Sequence, residues 1–147
     1  MSRTGAFYAV GMVLRAWYDP DDDNEPIIVG SAQDLDALLD RLAVDGALVD
    51  VPPLMQLSRR DAEGWAVLHI GVNGDRGVLT HTDGTGSYVT TDRTDATATT
   101  ITYDYMGHLR EVPGNAEIPL PEVREAAREF VSTNGARPTR VHWRAEE

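Results

Sequence analysis

The sequence predicts an α+β fold, with a mostly antiparallel sheet of about six or seven strands and two amphipathic helices packed on one face. Three observations carry this prediction. Leucines recur at helical spacing after Ser31, a second helical pattern follows Pro121, and short strand-like segments separated by Gly and Asn turns fill most of the remaining chain. With 147 residues and no internal repeat, the chain fits a single domain spanning residues 1–147.

The first helix is predicted from a stripe of leucines. Ser31 is a good N-cap residue with Asp34 three positions later, and the helix should end near Gly46. Four apolar positions follow the i, i+3, i+4, i+7 pattern and share one helix face: Leu35, Leu38, Leu39 and Leu42.

The second helix is predicted over residues 122–133. Glu122 and Glu125 stand in its first turns, where the helix dipole favours acids, and Asn134-Gly135 should end it. Its apolar face comprises Val123, Ala127, Phe130 and Val131.

The strands are predicted from alternation and from turn residues between them. A turn is expected over residues 59–64, and a hairpin turn over 73–77 because Asn and Gly tolerate positive φ angles. The threonine-rich segment 90–102 is predicted to be an exposed loop or edge strand. We expect strands over residues 12–18, 27–29, 54–58, 65–72, 78–81, 100–105 and 140–144.

Composition excludes several kinds of chemistry. The chain has no cysteine, so disulfides, thiolate zinc sites and cysteine nucleophiles are absent and a reducing cytoplasm is the expected location. All 13 basic residues are arginine, which removes the P-loop lysine and Schiff-base chemistry. The net charge of −11 repels phosphate backbones and anionic lipid. These features disfavour nucleic acid and membrane as partners and favour a basic protein.

An acidic run places five carboxylates in seven positions. Three of them occupy positions 1, 3 and 5 of an EF-hand-like loop, but Asn24 and Gly30 stand where calcium binding requires glycine and a bidentate glutamate. The remaining interpretations are a solvated acidic turn and a partner-binding patch. We predict that the run contacts a partner protein through Asp19, Asp21, Asp22, Asp23 and Glu25.

No catalytic, metal-binding or cofactor-binding residue is predicted, and no cofactor is expected. The histidines, at 69, 81, 108 and 142, lack the ligand spacing of known metal motifs. His69 and His81 are the pair to inspect, because they could face each other across the hairpin with Asp83 as a third ligand. The alternative is that they are two cross-strand polar residues. Aromatic residues at strand spacing are expected to be core, not a base-stacking platform.

Four segments resemble a known family: Gly71–Leu79, Tyr105–His108, Ala116–Leu120 and Arg137–Trp143. Through them, residues 12–143 resemble the actinobacterial immunity proteins encoded beside deaminase-type toxins of bacterial polymorphic toxin systems. The resemblance implies an α+β fold, no enzymatic activity and tight binding to a cognate toxin domain. It supplies no catalytic residues.

Two functions of different classes follow. The first is an immunity protein, or antitoxin, that binds a nucleic-acid-directed toxin domain such as a deaminase and blocks its active site or substrate groove. The alternative is a small-molecule-binding or hydrolytic α+β domain, whose site is assembled from scattered histidines and acids. A structural or oligomerisation module is a third, simpler interpretation.

Overall fold

The computed structural model describes residues 14–18, 26–61, 64–95 and 99–146. Within these ranges the chain forms ten strands and two helices. The strands are β1 (Leu14–Trp17), β2 (Ile27–Val29), β3 (Leu54–Asp61), β4 (Gly64–Asn73), β5 (Arg76–Asp83), β6 (Gly86–Thr90), β7 (Thr100–Tyr105), β8 (His108–Pro113), β9 (Ile118–Pro119) and β10 (Trp143–Ala145). The helices are α1 (Ala32–Gly46) and α2 (Leu120–Ser132).

The main sheet is antiparallel and has eight strands. Its order is β2-β1-β3-β4-β5-β6-β10, and the short β9 pairs with β5. Strands β7 and β8 form a separate two-stranded hairpin. The buried side chains of both helices belong to the same core cluster as alternate residues of β1, β3 and β4 and as Leu79 of β5. Both helices therefore cover one face of the sheet, and the predicted α+β class is confirmed.

Helix α1 begins with reciprocal capping bonds. The side-chain oxygen of Ser31 accepts a hydrogen bond from the backbone N–H of Asp34 at 3.2 Å. The Asp34 carboxylate in turn accepts one from the backbone N–H of Gly30 at 3.0 Å. The four leucines of the predicted stripe are all buried. The predicted first helix is confirmed.

Helix α2 begins at Leu120, two residues before its predicted start. Pro119 occupies the N-cap position and a second proline lies in the first turn, where a missing N–H has no cost. The helix ends as predicted, because Asn134 and Gly135 adopt positive φ angles of 56° and 103°. The Gly135 N–H then donates to the Phe130 carbonyl at 2.8 Å.

The hairpin of β3 and β4 is longer than the sequence predicts. Strand β3 continues through Asp61, so the prediction of a turn starting at Arg59 is wrong. The Arg59 guanidinium donates to the two oxygens of Asp61 at 2.9 and 2.8 Å. Residues two apart on a strand point to the same face, so these two side chains can form an ion pair. In the sequence alone, the same two charged residues indicate a turn.

The β7–β8 hairpin packs on the sheet face opposite the helices. The Tyr103 ring lies against Gly71, where an added Cβ would be 2.5 Å from the ring. The Tyr103 hydroxyl donates to Glu117 Oε2 at 2.6 Å, and Asn73 Nδ2 donates to the same oxygen at 2.9 Å. The hairpin is thus attached to the sheet through one buried aromatic residue and its hydrogen-bonded carboxylate.

The threonine-rich segment is only partly an exposed loop. Thr90 ends β6 and is fully buried, so the exposed-loop prediction is wrong there. Its hydroxyl accepts from the Leu79 N–H at 3.1 Å and donates to the Ala116 carbonyl at 2.9 Å. Residues 96–98 lie outside the described residues, and β7 begins at Thr100 as predicted.

The chain ends differ in detail from the prediction. The predicted N-terminal strand corresponds to β1, although residues 12 and 13 lie outside the described part of the chain. The last strand is observed over Trp143–Ala145 instead of 140–144. Among the described residues, neither helix is long and apolar enough to cross a membrane.

Candidate partner-binding surface

The predicted acidic site cannot be placed in the structure. Asp19, Asp21, Asp22, Asp23 and Glu25 all lie outside the described residues. The described chain stops at Tyr18, directly after β1, and resumes at residue 26, directly before β2. The acidic segment, which we define as residues 19–25, therefore connects two neighbouring strands near one edge of the main sheet.

A cavity of about 390 Å³ lies beside the point where the acidic segment begins. Three parts of the chain form its walls: the end of β1, the loop that joins α1 to β3, and the turn between β7 and β8. The lining residues are Tyr18, Asp45, Val49, Val51, Pro53, Asp104, Met106 and Gly107.

The loop between α1 and β3 is held against the β7–β8 hairpin by backbone contacts. The Asp104 N–H donates to the Pro52 carbonyl at 2.9 Å. The Asp104 carboxylate accepts a hydrogen bond from the Gly107 N–H at 2.8 Å, which closes the turn. The loop and the turn, which form two of the three walls, are thus each positioned by a hydrogen bond that a backbone N–H donates.

Several large apolar side chains are exposed on residues that line this cavity or that neighbour a lining residue in the chain or in strand register. Leu48 is 81% exposed and Val49 is 55% exposed, in the turn that follows α1. Leu109 is 68% exposed and pairs with Asp104 in the hairpin register. Contiguous apolar groups left in water often mark protein-interaction sites. We define the apolar–acidic surface as Asp45, Leu48, Val49, Asp50, Asp104, Met106 and Leu109.

The carboxylates of this surface differ in their partners. The Tyr18 hydroxyl donates to Asp45 Oδ2 at 2.5 Å. Arg41 lies near the same carboxylate, with 3.8 Å between Nε and Oδ2, and its guanidinium lies 4.9 Å from the centre of the Tyr18 ring. Asp104 accepts from backbone and forms no ion pair that the described residues show. The surface therefore retains negative charge.

A second exposed surface lies on the sheet face that the helices leave uncovered. Ile28 is 54% exposed and Trp65 is 44% exposed. Arg15 pairs with Ile28 in register, and Arg60 pairs with Trp65. We define these four residues as the arginine–tryptophan face. It has the aromatic and arginine side chains common at interfaces, but its charge is positive.

The larger cavity between α2 and the C-terminal segment is filled with paired charges. It has a volume of about 530 Å³ and is lined by Arg128, Glu129 and Arg140 among others. Arg128 binds Asp36 at 3.0 Å and Glu125 at 2.6 Å, while Glu129 accepts from Thr139. Arg128 thus links α1 to α2 through Asp36, and the cavity is lined largely by ion-paired side chains.

The two histidines singled out in the sequence lie on opposite faces of the sheet. His81 pairs with Leu68 on the helix-covered face, whereas His69 pairs with Thr80 on the other face. They do not converge. In the part of the chain that the structure describes, no group of three His, Asp or Glu side chains is placed to hold a metal ion.

Each of these histidines has structural contacts. His81 is fully buried, and its Nε2 lies 3.0 Å from the Gly135 carbonyl. Its ring packs edge-on against Phe130. His69 Nδ1 lies 3.2 Å from Thr80 Oγ1, and burial together with the nearby Arg110 charge lowers the pKa of His69 to about 4. His81 is thus a core residue, and His69 is a cross-strand partner of Thr80.

A small acidic α+β domain with exposed apolar residues beside carboxylates has the features of a protein-binding domain. A family model described as Immunity protein Imm1 matches residues 23–145. The chain therefore belongs to the Imm1 immunity protein family. No curated protein matches the sequence.

The sequence predicts a contact through the acidic segment, which stays a prediction, and gives no prediction of the apolar–acidic surface. One signal was available: Leu48 and Val49 follow the predicted helix end and lie outside the leucine stripe. The contribution of Asp104 and Met106 carried no comparable signal, because it depends on how the β7–β8 hairpin packs against a distant loop.

Proposed function

We propose that this protein is an antitoxin that binds a cognate, nucleic-acid-directed toxin domain and neutralises it by covering its active site or substrate groove. The observation that carries the proposal is the match to the Imm1 family over residues 23–145. The sequence resemblance extends the proposal to a deaminase as the toxin and to an actinobacterial source, in line with a chain whose basic residues are all arginine.

Charge supports a nucleic-acid-directed toxin. A domain that acts on DNA or RNA needs a positively charged groove for the phosphate backbone. A partner with a net charge of −11 presents the complementary potential. Such complementarity raises association rates by about 10- to 1,000-fold at low salt.

We further propose that the acidic segment forms part of the contact. Five carboxylates in seven positions repel one another, and a fold does not require such a density. Asp21 to Asp23 would contact arginines or lysines of the toxin and would occupy the positions where substrate phosphates bind. This role needs no catalytic residue, metal or cofactor in the antitoxin, and it places the protein in the cytoplasm that it protects.

Replacing Asp21, Asp22 and Asp23 together by alanine should weaken toxin binding by at least about tenfold, because three charges facing a basic groove are lost. Association and dissociation rates of the purified protein with the toxin domain encoded beside it would be measured at two salt concentrations. Most of the loss should appear in the association rate, whose salt dependence should also decrease.

The matched control for this experiment is the replacement of Asp36 and Asp40 by alanine. These acids lie on α1 and pair with Arg128 and Arg124 of α2 at 3.0 and 2.7 Å. The control should keep the wild-type association rate. An unchanged dissociation constant for the triple variant would remove the acidic segment from the interface.

A further inference from the structure

We infer that the apolar–acidic surface is the toxin-docking surface of the described structure, and that its cavity receives an arginine or lysine side chain of the toxin. The inference rests on the proposed antitoxin function and adds to it the position of the contact and the type of toxin side chain that binds there. Three properties of the surface carry it: its exposed apolar side chains, its charge and the shape of its cavity.

The apolar side chains provide the centre of an interface. Leu48 and Val49 expose 81% and 55% of their surface in a turn that is fixed by hydrogen bonds from Leu48 N–H to the Asp45 carbonyl and from Val49 N–H to the Gly46 carbonyl. Leu109 is 68% exposed and pairs in register with Asp104, which lines the cavity. Interfaces concentrate their binding energy in such apolar centres, which a polar rim shields from water.

The charge of the rim selects a basic partner. Asp45 and Asp104 line the cavity and Asp50 follows Val49 in the chain; among the described residues Arg41 forms an ion pair with the first of these acids. The acidic segment begins directly after Tyr18, which forms one wall of the cavity.

The cavity fits a long cationic side chain. Val49, Val51 and Met106 form apolar walls, and Asp45 and Asp104 line the same space of about 390 Å³. Arginine and lysine bury an aliphatic stem against apolar groups while the charged head reaches a polar partner. The Arg41 guanidinium already lies 4.9 Å from the centre of the Tyr18 ring, so the charged head of the toxin side chain would reach Asp104, which forms no ion pair among the described residues.

The arginine–tryptophan face is the competing surface, and its charge disfavours it. Arg15 and Arg60 lie beside its exposed apolar residues. Like charges facing one another across an interface cost binding energy and slow encounter. A toxin with a basic groove would therefore meet repulsion on this face and attraction on the apolar–acidic surface.

Two pairs of substitutions on the apolar–acidic surface test the inference against one matched pair on the competing face. The variants are L48A/V49A, D45N/D104N and I28A/W65A. The four apolar residues involved are 81%, 55%, 54% and 44% exposed, so neither alanine pair opens a cavity in the core. Asparagine retains the hydrogen-bond acceptors that Tyr18 and Gly107 use. Unchanged urea midpoints would verify that all three proteins fold.

Binding to the neighbouring toxin domain would be measured for each folded variant. We expect the dissociation constant to rise at least about tenfold for L48A/V49A, mainly through faster dissociation, and to change less than about twofold for I28A/W65A. D45N/D104N should slow association and reduce its salt dependence. A large effect of I28A/W65A with little effect of L48A/V49A would overturn the inference and place the toxin on the sheet face.

Two further outcomes separate this inference from the proposed function. Wild-type binding with no effect of either apolar–acidic variant would overturn the docking surface and leave the antitoxin function standing. Absence of wild-type binding to the toxin domain would overturn both.

Discussion

Replacing Tyr103 by alanine should lower the free energy of unfolding by about 3–5 kcal/mol, the range found when large buried aromatic side chains are truncated. Tyr103 is fully buried in the smaller core cluster, between the β7–β8 hairpin and the sheet. Its loss removes the ring that covers Gly71 and also removes a donor from the buried Glu117 carboxylate. Isolated two-stranded hairpins are marginal in water, so the hairpin depends on this packing.

The control for this prediction is Y103F, which keeps the ring and deletes the hydroxyl. It should cost about 1–3 kcal/mol, because Glu117 then keeps Asn73 as a donor but loses the shorter bond. Burial and the Glu117 carboxylate raise the pKa of Tyr103, so the phenol is neutral and donates at all physiological pH values. Urea unfolding would measure both variants. A loss below about 1 kcal/mol for Y103A would contradict this account of the hairpin.

His69 should make the stability of the protein depend on pH between about 6.5 and 4. Burial, followed by the charge of Arg110, lowers the pKa of His69 from 6.5 to about 4 in the folded state. As pH falls below 6.5 the unfolded chain binds a proton at this position and the folded chain does not. Stability is therefore full above pH 6.5 and decreases by about 3 kcal/mol as pH falls to 4.

The variant H69Q tests this contribution, because glutamine keeps a polar partner for Thr80 and cannot become charged. Between pH 7 and pH 4, the wild-type protein should lose about 3 kcal/mol more stability than H69Q in urea unfolding. An NMR titration of the His69 ring gives the same quantity directly. A titration midpoint near 6.5 in the folded protein would contradict the prediction.

Local patterns predicted much of the fold. The leucine stripe and the Ser31 cap specified α1, because burial of one helix face and satisfaction of the first N–H groups both depend on nearby residues. The turn signal at 73–77 predicted the β4–β5 hairpin, in which Gly74 and Asp75 form the turn and Gly74 adopts a φ of 65°.

The errors arose where tertiary contacts reverse a local preference. Asp61 lies in a strand because it pairs with Arg59, although the segment is as polar as a turn. Thr90 is buried because backbone groups of β5 and of Ala116 satisfy its hydroxyl. Neither partner can be identified from composition or periodicity.

For the candidate site, too, the sequence predicts local features but not those that depend on tertiary contacts. The acidic segment is recognisable in the sequence as a run of charges, whereas the cavity lined by Tyr18 requires three distant parts of the chain to meet. Because the β7–β8 hairpin supplies Asp104, Met106 and Gly107, the cavity also depends on the buried Tyr103. Loss of that residue should therefore weaken toxin binding as well as stability.

We propose that this protein neutralises a toxin domain by binding it. The most direct test adds the purified protein, in increasing amounts, to the toxin domain encoded beside it and measures modification of a nucleic acid substrate, with deamination assayed first. We expect toxin activity to fall in proportion to added protein and to be abolished at an equimolar ratio. Full toxin activity at that ratio would contradict it.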